Sequence, residues 1–172
     1  MLSFVPLMLS AMLAVPAAAP LTESAVLESP TRHIRTADAS MKSLLKRGFR
    51  KSPAFATLVR RLQHSDVIVY VEEVPRLPSA LEGRLVMLPV AHGQRYVRIQ
   101  IALRGAPEDW MSVLGHELQH AVEVAEAADV RDQAGMIRLY ERIGLRGGEH
   151  VYDTDAAREM GRTVRREISA TS

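Results

Sequence analysis

Between residues 66 and 103 apolar residues recur at every second position; on either side they recur at every third or fourth. The first pattern belongs to strands with one buried face, the second to helices laid on a core. Three strands are predicted: "DVIVYVEEV" (66–74), "RLVMLPV" (84–90) and "RYVRIQIAL" (95–103). The last alternates most cleanly, with Val97, Ile99 and Ile101 on one face and Tyr96, Arg98 and Gln100 on the other. "AHGQ" contains Gly93 and reads as a hairpin turn, with His92 exposed in it.

Upstream, "ADASMKSLLKRGF" predicts a helix that stops at Gly48, and "SPAFATLVRRLQH" one capped by Ser52 with Pro53 in the first position. His64 closes that second helix, where a polar side chain suits the dipole. Downstream, a helix runs from 107 to 125 and opens on Pro107, Glu108 and Asp109. "VRDQAGMIRLYERIG" predicts another, stopped at Gly144, then "RGGEHV" a loop, then "TDAAREMGRTVRREI" a last helix capped by Asp153 or Thr154. Helices, then strands, then helices predict an α+β fold: a small three- to four-stranded mixed sheet packed on helices.

Length and composition bound this picture. A chain of 172 residues, 47% hydrophobic and 24% charged, suits a folded protein with one domain, placed at 38–172. Its net charge of +2 comes from scattered arginines without interleaved aromatics, so no nucleic-acid partner is expected. There is no cysteine, so a bound metal would need histidine and carboxylate ligands.

Residues 1–19, "MLSFVPLMLSAMLAVPAAA", read as a signal peptide ending in an Ala17-Ala18-Ala19 cleavage site. The alternative is an N-terminal anchor, which the short run and Pro6 and Pro16 disfavour. The expected location is therefore secreted or periplasmic, with membrane contact only through an uncleaved N-terminal segment. Residues 20–37 read as a linker, with His33 exposed in it.

The helix from 107 to 125 carries "HELQH": His116, Glu117 and His120. Residues four apart share a helix face, so both imidazoles can reach one point. Glu117, on the same flank, can hold a water there without binding the metal itself. Two nitrogen ligands and one carboxylate base are the working parts of zinc-dependent hydrolysis. The opposite face is apolar (Trp110, Leu114, Leu118, Val122, Ala125), and Gly115 leaves room for a close backbone approach. The alternative is a pair of histidines on a solvated face.

On HELQH, the sequence resembles the zincin metallopeptidases, and within them the gluzincin type. No third histidine follows in "AVEVAEAADV", which sets it apart from the metzincin branch. The resemblance covers residues from about 66 to the end. It implies a bacterial-type secreted zinc peptidase that hydrolyses peptide bonds of a peptide or protein substrate, with Zn2+ held by His116 and His120 and with Glu117 as general base. It also implies that the strand before the motif helix, "RYVRIQIAL", is the sheet edge along which substrate pairs. The third ligand it implies is a downstream carboxylate. Asp153, with Ala157 one turn on, imitates the gluzincin Glu-x-x-x-Ala but is one methylene shorter. Glu149 with Asp153 imitates Glu-x-x-x-Asp, in which the aspartate orients the first histidine. Glu159 and His150 are the remaining candidates. Tyr152 and Tyr140 are candidate donors to an oxyanion, or else core tyrosines. The rival expectation is a catalytically inactive zincin-like metal-binding or interaction module. The sequence leaves the oligomeric state open.

Overall fold

The computed structural model describes residues 32–78, 81–148 and 151–171. The segment read as a signal and most of the linker lie outside the described residues, as do Glu149 and His150. The elements are β1 (Ile34–Arg35), α1 (Ala39–Lys51), α2 (Pro53–Gln63), β2 (Val67–Glu73), β3 (Gly83–Ala91), β4 (Gln94–Ile101), α3 (Pro107–Glu126), α4 (Gln133–Ile143), β5 (Leu145–Gly148), β6 (Val151–Asp153) and α5 (Asp155–Ala170). The fold is α+β with a mixed sheet in the order β1-β2-β4-β3. Among the described residues no helix is long and apolar enough to cross a membrane.

The alternation of β4 decides which way the sheet faces. Val97, Ile99 and Ile101 are fully buried, while Tyr96, Arg98 and Gln100 are partly exposed. Val67, Val69 and Val71 of β2 join the buried set, and Leu114, Leu118 and Val122 of α3 pack into the same cluster with Val164 and Ile168 of α5. Fully burying one such side chain is worth about 1.5–3 kcal/mol, so this cluster holds α3 and α5 on the sheet. The hairpin joining β3 to β4 turns at His92 and Gly93, both in the left-handed region (φ 51° and 76°), as a tight two-residue turn requires. His92 is exposed there, as is His64 at the end of α2.

Five expectations are corrected. Ile34 and Arg35 are not linker: they pair in parallel with Val69 and Tyr70 as the first strand of the sheet. Two residues are too few to show any period. His33, expected to be exposed, is half-buried beside them, and its carbonyl accepts from Val69 N at 2.7 Å. Gly48 does not stop α1, which runs on to Lys51. It is buried where a Cβ would lie 2.6 Å from the Met111 Cε and 2.8 Å from the Phe55 ring, so its role is close packing. "RGGEHV" is not all loop, since β5 and β6 pair antiparallel across it. Finally, β4 is not the edge. It lies between β2 (parallel) and β3 (antiparallel), because the chain from β2 crosses the end of β4 before turning back as β3. The edge on that side is β3.

Arg95, at the start of β4, fastens the sheet to the end of α3. It is 1% exposed. Its guanidinium grips the Asp66 carboxylate through Nε (2.9 Å) and Nη2 (2.6 Å). It also donates to the carbonyls of Val124 (2.7 Å), Ala125 (2.9 Å), Ala127 (2.7 Å) and Val130 (3.2 Å). The last carbonyls of a helix have no partner within it, and a buried cation there answers both the missing hydrogen bonds and the dipole.

Candidate metal centre

The middle of α3 carries the motif histidines on the face turned toward α5 and β6. His116 Nε2 and His120 Nε2 are 3.1 Å apart, their rings edge to face. Asp153 Oδ1 lies 3.4 Å from the first nitrogen and 3.7 Å from the second. A tetrahedral zinc site with bonds of about 2.0–2.1 Å would space its ligand atoms roughly 3.4 Å apart. Two nitrogens and one carboxylate oxygen at these separations therefore fit a single zinc ion, and no cysteine is needed.

Asp153 reaches this point by an unexpected route. It does not open the last helix; it is the last residue of β6, and Thr154 is the cap, accepting from Ala157 N at 3.0 Å. Its shorter side chain suffices because α5 lies very close to α3. A Cβ on Gly115 would lie 2.8 Å from Val164 Cγ2, and one on Gly161 would lie 3.1 Å from the Ser112 carbonyl and 3.4 Å from His116 Cβ. Two glycines facing each other's helices stand in for the missing methylene. Glu159 is not brought to the site: it is exposed and engaged by Arg162 (2.7 Å) and Arg166 (3.1 Å).

A second layer of hydrogen bonds fixes the ligands. His120 Nδ1 meets Glu123 Oε2 at 2.8 Å, and the other Glu123 oxygen accepts from Thr154 Oγ1 at 2.7 Å. Burial raises the Glu123 pKa, but the hydrogen bond and charge of His120, with Thr154, outweigh it and hold the carboxyl below its ordinary value. An ionised carboxylate only accepts, so His120 donates to it from Nδ1; burial lowers the His120 pKa, but Glu123, Glu117 and Asp153 together hold it above its ordinary value. Burial, and then His120, push His116 down to about 4, which keeps it neutral at pH 7. Asp153 Oδ2 accepts from Arg158 Nε at 2.7 Å, and Oδ1, which faces the histidines, also accepts from Thr154 N at 2.7 Å. Burial opposes ionisation of Asp153, yet Arg158 and His116 hold its pKa below the ordinary value.

Glu117 is 6% exposed. Burial raises its pKa to about 7. Glu117 lies against Gly83, the first residue of edge strand β3, where a Cβ would stand 2.6 Å from Glu117 Oε1. A carboxyl near neutrality in such a position is able to take up or give a proton.

Tyr140 does not face this opening. It is buried behind His120, donates to the His120 carbonyl at 3.2 Å, and meets the imidazole edge-on at 5.2 Å. It is one of the core tyrosines weighed above. Of Tyr152 only the backbone is described. A shallow depression of about 600 Å³ lies between Pro75–Leu77 and Arg104, and none of its lining residues belongs to the histidine cluster.

Sequence reasoning missed Glu123, Gly83, Thr154, Arg158 and Gly161. Glu123 was within reach, standing three residues after His120 on the same face. Gly83 was not, because nothing local shows which strand passes over Glu117. Comparison with known proteins adds no further support: no family model, curated protein or solved structure matches this chain.

Proposed function

We propose that this chain is a zinc-dependent peptidase of zincin type, exported by its N-terminal segment, in which His116, His120 and Asp153 hold the ion. One observation carries the reading. Three lone-pair donors converge within 3.7 Å of one another, and a buried carboxylate stands beside them under a sheet edge. A divalent cation would bind all three donors at once.

A bound zinc ion would supply Lewis acidity and lower the pKa of water to about 7. Glu117 accepts the proton from the attacking water and returns it to the leaving amine, a task suited to a carboxyl near neutrality. Glu123 keeps His120 in the required tautomer, and Arg158 keeps one oxygen of Asp153 away from the site. Edge strand β3, rather than β4, receives the substrate backbone.

Purified protein is expected to carry one zinc per chain by elemental analysis and to hydrolyse unfolded casein. Glu117→Gln is expected to keep the zinc and lose turnover about 10²–10⁴-fold. Full activity in that variant would sink the mechanism. A second reading, a metal-binding module without catalysis, is favoured by Tyr140, which is turned away from the opening and so provides no oxyanion donor. Zinc bound with no hydrolysis of casein would select it.

A further inference from the structure

The edge strand beside Glu117 is covered partway along by the chain's own fold. Backbone groups along β3 alternate between β4 and the open side. The Glu82 carbonyl accepts from Ala102 N at 2.8 Å, which turns residue 82 inward. With Gly83 opposite Ile101, Leu85 opposite Ile99 and Met87 opposite Val97, the polar groups of these three β3 residues point outward. Gly83 is the one that lies against Glu117. Met87 N is already spent: it donates to Gln133 Oε1 at 3.3 Å.

Gln133 is the first residue of α4. The start of α4 meets the edge strand at Met87, and Tyr140, two turns on, is bonded to His120. Helix α4 therefore runs from the edge strand to the rear of His120. Between Gly83 and Met87 the outward pairing positions before Gln133 are at Gly83 and Leu85. From Gly83 to Met87 is four steps of strand, about 13 Å.

We propose that the first turn of α4, through Gln133, is a length stop. An extended chain laid along β3 meets Gln133 within about three residues of the bond held at Glu117. The site would then trim short pieces from one terminus of a peptide rather than cut within a long chain. This rests on the peptidase reading above, but it can be tested apart from turnover.

The test uses zinc-loaded Glu117→Gln protein and capped peptides of two to eight residues, lengthened from either end, with affinity read by calorimetry. Lengthening from one end should keep strengthening binding. Lengthening from the other should stop helping after the third residue, with further residues weakening binding about tenfold by collision. In the double variant with Gln133→Ala the limit should move outward. Affinity that rises equally from both ends, or a limit unmoved by Gln133→Ala, overturns the length stop. In wild type, terminal fragments of up to three residues are expected whatever the peptide length, and frequent internal cuts overturn it. Absence of all hydrolysis would instead fail the peptidase reading while leaving the affinity series decisive.

Discussion

Helix α3 takes part in two buried polar clusters of opposite logic. At its C-terminal end, Arg95 meets one carboxylate and four carbonyls, and each hydrogen bond joins a donor to an acceptor. In its middle, two imidazole nitrogens and a carboxylate oxygen face one another, with buried Glu117 beside them. The first cluster matches every donor to an acceptor within the chain. The second gathers acceptors at a point where a cation could join them. Burial alone does not distinguish a structural knot from a site; complementarity does.

The largest effect expected from this contrast is on stability at the Arg95 knot. Arg95→Met removes the partner of several buried carbonyls and of Asp66, and should cost about 3–5 kcal/mol in chemical denaturation. Its folded fraction should still bind zinc one to one. A loss of zinc stoichiometry in that folded fraction would show that the two clusters are not independent.

Next comes the response to metal. Zinc at a hundredfold excess over its Kd should stabilise wild type by about 2.7 kcal/mol. Asp153→Ala should abolish that increment, while Arg95→Met should keep it, both read from melting curves with and without zinc. An unchanged increment in Asp153→Ala would mean that the third ligand lies elsewhere.

Smaller still is the effect of the supporting layer. Glu123→Gln replaces an ionised acceptor by a neutral one, so His120 is held less firmly in its tautomer. Zinc affinity should fall about 10–100-fold in competition with a chromophoric chelator. An unaltered affinity would reduce Glu123 to a packing role.

The smallest effect is on acid stability. The Arg95 hydrogen bond holds the Asp66 pKa below its ordinary 3.8. A depressed carboxyl stabilises the fold fully above its unfolded value and loses that contribution as pH falls through its folded one. Wild type should therefore lose stability below about pH 4 more steeply than Asp66→Asn. Parallel curves would show that the pair contributes nothing through protonation.

Much of the scaffold was legible in the sequence. The period-two window located β2, β3 and β4, and Ser52-Pro53 marked the start of α2 within a residue. The pair His116 and His120 was legible because one helix carries both, and a helix has a fixed geometry. What stayed hidden depends on contacts between distant segments. The place of β4 inside the sheet follows from how the chain crosses from β2 to β3, which alternation does not encode. Asp153 and Thr154 were both candidates for the helix cap; Thr154 is the cap, and Asp153 ends a strand too short to have a period. The objection that aspartate is too short fell to Gly115 and Gly161, whose effect exists only once α3 and α5 are side by side.

Strand β1 gives the molecule a mechanical polarity. It pairs with β2 through two residues at one margin of the sheet, and Gly83 and Glu117 meet at the other margin, about 14 Å away across three strand spacings. Any tension that enters from the chain before Arg32 falls first on that two-residue seam. Two paired residues hold that seam, against seven between β2 and β4, so β1 is the part of the sheet that can part while β2, β4 and β3 keep their register.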